Sequence, residues 1–373
     1  MKIAVLGYGT VGKGVEVLAG KSESIEVKRI LVRKGKTVKE NMTDDFQDIL
    51  NDPEIELVVE CMGGIDPAGE YVLSALKKGK HVVTSNKMMA ASIYPELLKA
   101  SEEGNAELRF SSSCGGGIPW LPNLKRYTLQ DDVKKIYGIM NGTSNYILDS
   151  IFTKNMGFSD ALKIAQDKGY AEADPTNDIC GYDTGYKTVL SGNVAFNGCF
   201  NPKDMLVLGI KNISDEEIGY CRENGLRIVL KGEAVKTDDK VSLAVYPQYI
   251  DSSSALSNVS VNNNCFVLES ENLGTLSFKG QGAGMLPTAS NVILDIMDIM
   301  AGNRVKTEGV LLTENHDELL SGKFYVRGND ISVFDDVCEM RTGTYIITKE
   351  LSVKELREKV KGMSPDAFVA RID

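Results

Sequence analysis

Histidine is nearly absent, with only His81 and His316 in a chain of 373 residues. A His-ligated metal and a Ser-His-Asp triad are therefore poor fits, and proton transfer falls to Lys, Asp, Glu or Tyr. The seven cysteines (Cys61, Cys114, Cys180, Cys199, Cys221, Cys265, Cys338) are odd in number and include no C-x-x-C pair. That excludes a disulfide framework and a zinc knuckle and leaves reduced thiols as the expectation. Long apolar runs are missing too: none approaches the ~18–20 residues of a membrane span, and Lys2–Leu6 is too short for the core of a signal peptide. The chain is expected in the cytoplasm, with no membrane partner. Basic charge is in deficit, 42 Lys plus Arg against 52 Asp plus Glu, for a net charge of -10 and a pI near 5.0. Such a surface repels a phosphate backbone, so nucleic acid is not expected as a partner.

What is present is ordinary for a folded globular protein, with 42% hydrophobic and 25% charged residues. At roughly 100–200 residues per domain, the length predicts two or three domains. The short apolar run Lys2–Leu6 leads into Gly7-Tyr8-Gly9-Thr10-Val11-Gly12, and Val15, Val17 and Leu18 then recur at helical spacing. This reads as strand, tight glycine turn and helix. Further apolar runs at 25–32, 55–59 and 81–84 alternate with helical patterns, which predicts an α/β fold with a doubly wound, Rossmann-type parallel sheet over residues 1–130. From 131 to 287 the order changes to an α+β pattern, with helices near 145–152, 158–168 and 181–197 and β-rich segments near 227–248 and 264–279. An apolar helix at about 288–305 is expected to return to the first domain, and a small β/α tail occupies 320–373.

The G-x-G-x-x-G string is weak alone, but here it follows a predicted strand and opens a predicted helix. In that setting Gly7, Gly9 and Gly12 let the backbone and the helix N-terminus, through Thr10 and Val11, meet a pyrophosphate. Arg33 and Lys34, at the end of the second strand, suit a 2′-phosphate and favour NADP, with NAD also open, although basic residues on a solvated turn are the plainer reading. Lys87 follows a strand at the carboxyl edge of the sheet, where ligands bind in open α/β folds; a solvent-facing lysine is the alternative. Asp183 and Lys187 are spaced i,i+4 on a predicted helix and share a face, with Glu172, Asp174 and Asp178 just upstream. Surface pairs of this kind are common, so spacing alone leaves an ammonium-binding site and a solvated acidic loop both open.

Taken together, the strings resemble homoserine dehydrogenase, in order, over about residues 1–310. They are Gly-Tyr-Gly-Thr-Val-Gly at 7–12, Gly-Lys-His-Val-Val-Thr-Ser-Asn-Lys at 79–87, Met-Asn-Gly-Thr-Ser-Asn-Tyr-Ile-Leu at 140–148, Gly-Tyr-Ala-Glu-Ala-Asp-Pro at 169–175, Gly-Tyr-Asp-Thr-Gly-Tyr-Lys at 181–187 and Gly-Ala-Gly-Met-Leu-Pro-Thr-Ala-Ser at 282–290. The resemblance implies reversible hydride transfer between NADPH and aspartate 4-semialdehyde, giving L-homoserine on the route to threonine, isoleucine and methionine. It also implies that the second domain binds substrate and forms a homodimer. By the same resemblance Lys187 is the proton donor, Asp183 and Glu172 hold the substrate, Asp178 is a neighbouring polar contact, and Lys87 is a second lysine at the cofactor–substrate junction. Tyr170, Gly142 and Thr143 complete the implied substrate pocket, while Ser85 and Lys87 meet the nicotinamide end and Gly282 permits close backbone approach from the second domain.

The pattern departs from the family in two places. Relatives hold a sodium ion with backbone carbonyls and a glutamate, which assigns carbonyls to Cys114, Gly116 and Ile118, but Ser111 stands where the glutamate belongs. The tail at 320–373 has ACT-like opening and closing strings and looks too short for a full ACT domain, the module through which many relatives sense an amino acid. Two other readings stay open: a dehydrogenase of a different amino-acid semialdehyde, and a non-catalytic cofactor-binding module.

Overall fold

The computed structural model describes residues 1–36, 38–303 and 311–372. The chain divides into two compact units, Met1–Asn123 with Gly280–Val310, and Leu124–Lys279 with Leu311–Asp373. Among the described residues no helix is long and apolar enough to cross a membrane.

The first unit is built on six strands: β1 (Lys2–Leu6), β2 (Glu26–Leu31), β3 (Met42–Thr43), β4 (Leu57–Glu60), β5 (His81–Thr84) and β6 (Leu108–Arg109). All pair in parallel, in the order β3-β2-β1-β4-β5-β6, so the strand order reverses beside β1. Ligands bind at the carboxyl ends of strands at such a switch point. Helices cover both faces of a sheet of this kind, so its strands carry continuous apolar runs: Ile3, Ala4, Val5 and Leu6 are fully buried.

The helix Met285–Met300 belongs to this unit and completes its core, with Ala289, Val292, Ile296 and Ile299 packed among Ile3, Val5, Val15 and Ala19. Its start lies upstream of the expected 288 because Gly284, at φ +133, turns the chain into the helix directly. It ends at Met300 before Gly302, and of the expected end, residues 304 and 305 lie outside the described residues. The units divide at 123/124 and 279/280 rather than at 130/131 and 287/288, so Gly282 lies in the first unit and not, as expected, in the second.

The second unit contains β7 (Val133–Ile139), β8 (Leu206–Val207), β9 (Arg227–Thr237), β10 (Lys240–Ile250), β11 (Asn263–Ser270), β12 (Gly274–Gln281), β13 (Ser321–Arg327), β14 (Cys338–Arg341), β15 (Tyr345–Thr348), β16 (Leu351–Ser352) and β17 (Phe368–Ile372). They form one mixed 11-stranded sheet along the path β12-β11-β7-β9-β10-β17-β13-β15-β14, with β8 on β10 and β16 on β13. The helix Tyr182–Ala195 lies close on β9, where a Cβ on Gly232 would stand 2.2 Å from Thr188 Oγ1. Only glycine admits that approach.

The tail is part of the second unit and not a compact unit of its own. Strand β17 pairs in parallel with β10, Gln248 opposite Arg371 and Tyr249 opposite Ile372, and Phe324, Val326, Ile346, Leu356 and Val369 share one core with Leu206, Ala244 and Tyr246. A segment of this size is marginal for independent stability, and joining the larger sheet gives it more surface to bury. Within it the strand order β17-β13-β15-β14 is that of a β-α-β-β-α-β unit, with the first helix shortened to the 3-10 segment Ser332–Val337 and the second present as Val353–Val360.

Candidate active site

The first unit supplies a phosphate cradle. Gly7 has φ +94, and a Cβ there would lie 2.9 Å from the Cys61 carbonyl oxygen; a Cβ on Gly12 would lie 2.1 Å from the Gly7 oxygen. Both positions therefore require glycine, because the helix Thr10–Ala19 starts directly against the end of β1. Gly9 caps that helix without a side-chain hydrogen bond, and a Cβ on it would meet nothing within 4 Å. The amides of Thr10, Val11 and Gly12 thus open a helix whose N-terminus suits an anion. Arg33 and Lys34 are exposed just past β2, whose Leu31 carbonyl accepts from Gly7 N at 3.0 Å.

A cluster not expected from the sequence sits on the same turn. Lys39 Nζ donates to Tyr8 Oη at 2.7 Å and to both Glu16 oxygens at 2.8 Å, and Tyr8 also donates to Glu16. Burial would raise the Glu16 carboxyl, but the Lys39 and Tyr8 hydrogen bonds outweigh it and hold it below its ordinary value. No spacing in the sequence links Lys39 to Tyr8.

At the carboxyl ends of β4 and β5, the fully buried Glu60 accepts from Thr84 Oγ1 at 2.5 Å and from Met62 N at 2.6 Å. Burial pushes its carboxyl upward. Asn86 caps the helix Lys87–Ser92, accepting from Met89 N at 3.1 Å and donating to the Gly64 carbonyl at 2.6 Å. This network fixes the backbone of Ser85 and Lys87, both half-buried, at the edge where the parallel strands end.

The second unit brings together most of the substrate residues read from the sequence. Lys187 Nζ donates to Asp183 Oδ2 at 2.7 Å and to the Met140 carbonyl at 2.6 Å. Both side chains of the pair are only 7% exposed, so this is not a surface pair of the common kind. Asn141 Nδ2 donates to Asp183 Oδ2 at 2.8 Å and to Asp178 Oδ1 at 2.6 Å, while its Oδ1 caps the helix Gly142–Lys154 by accepting from Ser144 N at 2.7 Å. Asn264 Nδ2 reaches the same Met140 carbonyl at 2.8 Å. Asn141 and Asn264 were not singled out in the sequence; Asn141 stands in the Met-Asn-Gly-Thr string, and its N-cap position is the signal that marks it.

Thr143 Oγ1 donates to the Tyr170 carbonyl at 2.6 Å, and Tyr170 packs against Tyr146 with ring centroids 4.9 Å apart. Gly142 leaves no room for a side chain, since a Cβ would stand 2.6 Å from the Asn262 oxygen. Glu172 is exposed, its backbone carbonyl accepting from Gln166 Nε2 at 3.2 Å, and so lies outside the buried cluster.

The loop after β6 is held by the helix Met285–Met300. Ser111 donates through Oγ and N to the two oxygens of Asp295, at 2.6 and 3.1 Å, and Asn291 Nδ2 donates to the carbonyls of Gly116 and Ile118, at 2.5 and 3.1 Å. The backbone of Gly282 approaches as well: a Cβ on Gly116 would lie 2.7 Å from the Gly282 oxygen. Among the described residues no group of three or more His, Cys, Asp or Glu is placed to hold a metal ion.

Comparison with known proteins agrees with both halves. The family described as homoserine dehydrogenase matches residues 119–297, and its NAD binding domain matches residues 7–111. The homoserine dehydrogenase of Bacillus subtilis is 33% identical over 324 residues, covering 83% of this chain and 75% of that protein. That of Synechocystis is 36% identical over 317 residues, covering 80% and 73%. Among solved structures, a homoserine dehydrogenase from Thiobacillus denitrificans superposes with a TM-score of 0.87 at 27% identity, covering 100% of this chain and 98% of that one. A hyperthermophilic archaeal homoserine dehydrogenase in complex with NADPH gives 0.70 at 26% identity, covering 81% and 98%. The chain belongs to the homoserine dehydrogenase family, NAD(P)-dependent oxidoreductases of amino-acid biosynthesis.

Proposed function

We propose that the chain interconverts L-aspartate 4-semialdehyde and L-homoserine with NADPH as its preferred cofactor, Lys187 moving the proton. The observation that carries this reading is the buried Lys187–Asp183 pair, fastened through Asn141 to Asp178. When bound, the nicotinamide supplies the hydride. Lys187 gives a proton to the alkoxide that develops at the carbonyl oxygen and reclaims it in the reverse direction. Asp183 orients the ammonium through its 2.7 Å hydrogen bond. Asp178 and the exposed Glu172 are assigned to the substrate's α-ammonium, with Tyr170 and the backbone at Gly142 and Thr143 shaping the pocket.

The cofactor set is Gly7, Gly9, Thr10, Val11 and Gly12 for the pyrophosphate, Arg33 and Lys34 for the 2′-phosphate, and Ser85 and Lys87 for the nicotinamide end. Arg33 supports NADP over NAD because an exposed guanidinium beside the glycine turn pairs with a phosphate, whereas ribose hydroxyls favour a carboxylate. Gly282 is placed with the cofactor set on the strength of its close backbone packing. We further assign the chain to the cytoplasm and to a homodimer, and the tail to the ACT-like class on its strand order.

The test is NADPH oxidation followed optically with L-aspartate 4-semialdehyde, repeated with NADH and with threonine added. Turnover with a preference for NADPH supports the reading, and a threonine response assigns a sensing role to the tail. Folded protein that binds NADPH but turns over with neither cofactor would reject it.

A further inference from the structure

The loop Ser111–Ile118 contains carbonyl oxygens that are buried and outside any strand ladder, and such oxygens need donors or a cation. In this chain the donors come from one helix face. Asn291 and Asp295 are spaced i,i+4 on Met285–Met300 and are 3% and 2% exposed. The Asn291 amide presents its two N–H groups to two carbonyls, Gly116 at 2.5 Å and Ile118 at 3.1 Å. The Ile118 oxygen also accepts from Trp120 N at 2.8 Å, so both of its lone pairs are engaged. One turn along the helix, Asp295 takes Ser111 through both oxygens.

These contacts do not fit the sodium ion that resemblance assigns to Cys114, Gly116 and Ile118. The Asn291 hydrogens point with partial positive charge at the lone pairs a cation would use, and the residue at 111 brings a hydroxyl donor instead of a carboxylate. The glycines tighten the arrangement: a Cβ on Gly117 would stand 2.8 Å from Pro287 Cβ, so the loop is pressed on the start of the same helix.

We propose that the Asn291 side-chain amide takes the place of a monovalent cation in this loop, so that the chain holds its fold and its activity without one. The inference concerns the loop's packing and is independent of the substrate reading.

It is tested on the full chain in sodium, potassium and choline chloride at equal ionic strength, by melting temperature, NADPH affinity and turnover. The wild type is expected to melt within about 1 °C and to bind NADPH within about twofold in all three salts, since a ligand that has no site adds no stability. Asn291→Asp keeps the shape but replaces the donor by a carboxylate facing two carbonyls. It is expected to melt several degrees lower in choline, with sodium or potassium restoring at least about half of the loss.

A wild type that melts more than about 3 °C higher in sodium or potassium than in choline would overturn the proposal, as would an Asn291→Asp variant as stable as the wild type in choline. A loss that neither cation relieves also overturns it, because the amide would then be structural without standing where a cation binds. If the variant does not fold, the wild-type comparison across salts decides alone.

Discussion

Lys187 Nζ and Asp183 Oδ2 stand 2.7 Å apart, one helical turn from each other, in a helix whose N-terminus is Gly181 with φ +86. At a surface this pair would contribute little, but both side chains are buried, so removing either leaves an uncompensated charge. Lys187→Ala is expected to lower turnover by a factor on the order of 10² or more while leaving the NADPH dissociation constant within about threefold. Steady-state kinetics with a separate cofactor titration check this, and a turnover loss below about threefold would remove Lys187 from the proposed role.

Asn141 joins two carboxylates, donating to Asp178 at 2.6 Å and to Asp183 at 2.8 Å. Asn141→Asp preserves the helix cap but sets a third carboxylate against these two, and like charges at that distance cannot all ionise. Turnover is expected to fall by at least about tenfold, with a partial return as the pH is lowered and one of the three carboxyls is protonated. A pH–rate profile with the shape and height of the wild type's would contradict the role given to Asn141.

Arg33 is exposed beside the glycine turn and has a cofactor phosphate as its proposed partner. A charge-assisted contact is worth about 1.5–3 kcal/mol, so Arg33→Ala should weaken NADPH by roughly tenfold or more. NADH, which lacks the 2′-phosphate, should change by less than about twofold. Fluorescence titration of both cofactors measures the difference, and equal losses would reject the 2′-phosphate assignment.

Glu233 is fully buried among three cations, with Lys135 at 2.6 Å, Lys231 at 3.0 Å and Arg371 at 3.3 Å, and it accepts from Tyr246 as well. Burial would raise its carboxyl, but Lys231, Lys135 and Arg371 outweigh burial and hold it well below the ordinary value of 4.5. A depressed carboxyl stabilises the fold above 4.5 and loses that contribution as the pH falls through its folded value. Glu233→Gln should therefore cost about 3–5 kcal/mol at neutral pH. Denaturant unfolding should show the gap between variant and wild type closing only below the ordinary carboxylate range. A gap that widens with acid would reverse the sign and defeat the assignment.

Gly14 sits inside the helix Thr10–Ala19, where alanine is intrinsically better by about 1 kcal/mol. A Cβ there would lie 2.7 Å from the Met285 carbonyl oxygen and 2.9 Å from Ala289 Cβ, so the returning helix would have to move. Overpacking of this kind costs about 1–3 kcal/mol and should exceed the gain. Gly14→Ala is expected to lower the melting temperature by a few degrees, and a rise would show that the helix yields without cost.

Much of the site was legible because its residues lie in short strings. The turn from Gly7 to Gly12 is a local object: left-handed backbone at Gly7 and the contact of Gly12 with Gly7 oxygen both arise within a few residues. The Asp183–Lys187 pair is likewise set by helical spacing, although its burial is not. Glu172 was placed with the substrate residues by resemblance, and the structure shows it exposed. The Lys39–Glu16–Tyr8 cluster and the reach of Asn141 to Asp178 had no periodicity to reveal them, since each depends on loops folding back.

The strand–turn–helix cradle and the alternation that makes a parallel sheet were readable along the chain because apolar periodicity and glycine act over a few residues, and the family was readable from its resemblance in six short strings. The folded chain alone shows that the tail joins the larger sheet through β10 and β17, that Glu233 gathers Lys135 and Arg371, and that Asn291 holds Gly116 and Ile118. The reason is physical. These contacts join groups more than ninety positions apart in the chain, Asn291 and Gly116 by 175, and strand pairing and burial bring together what no local pattern encodes.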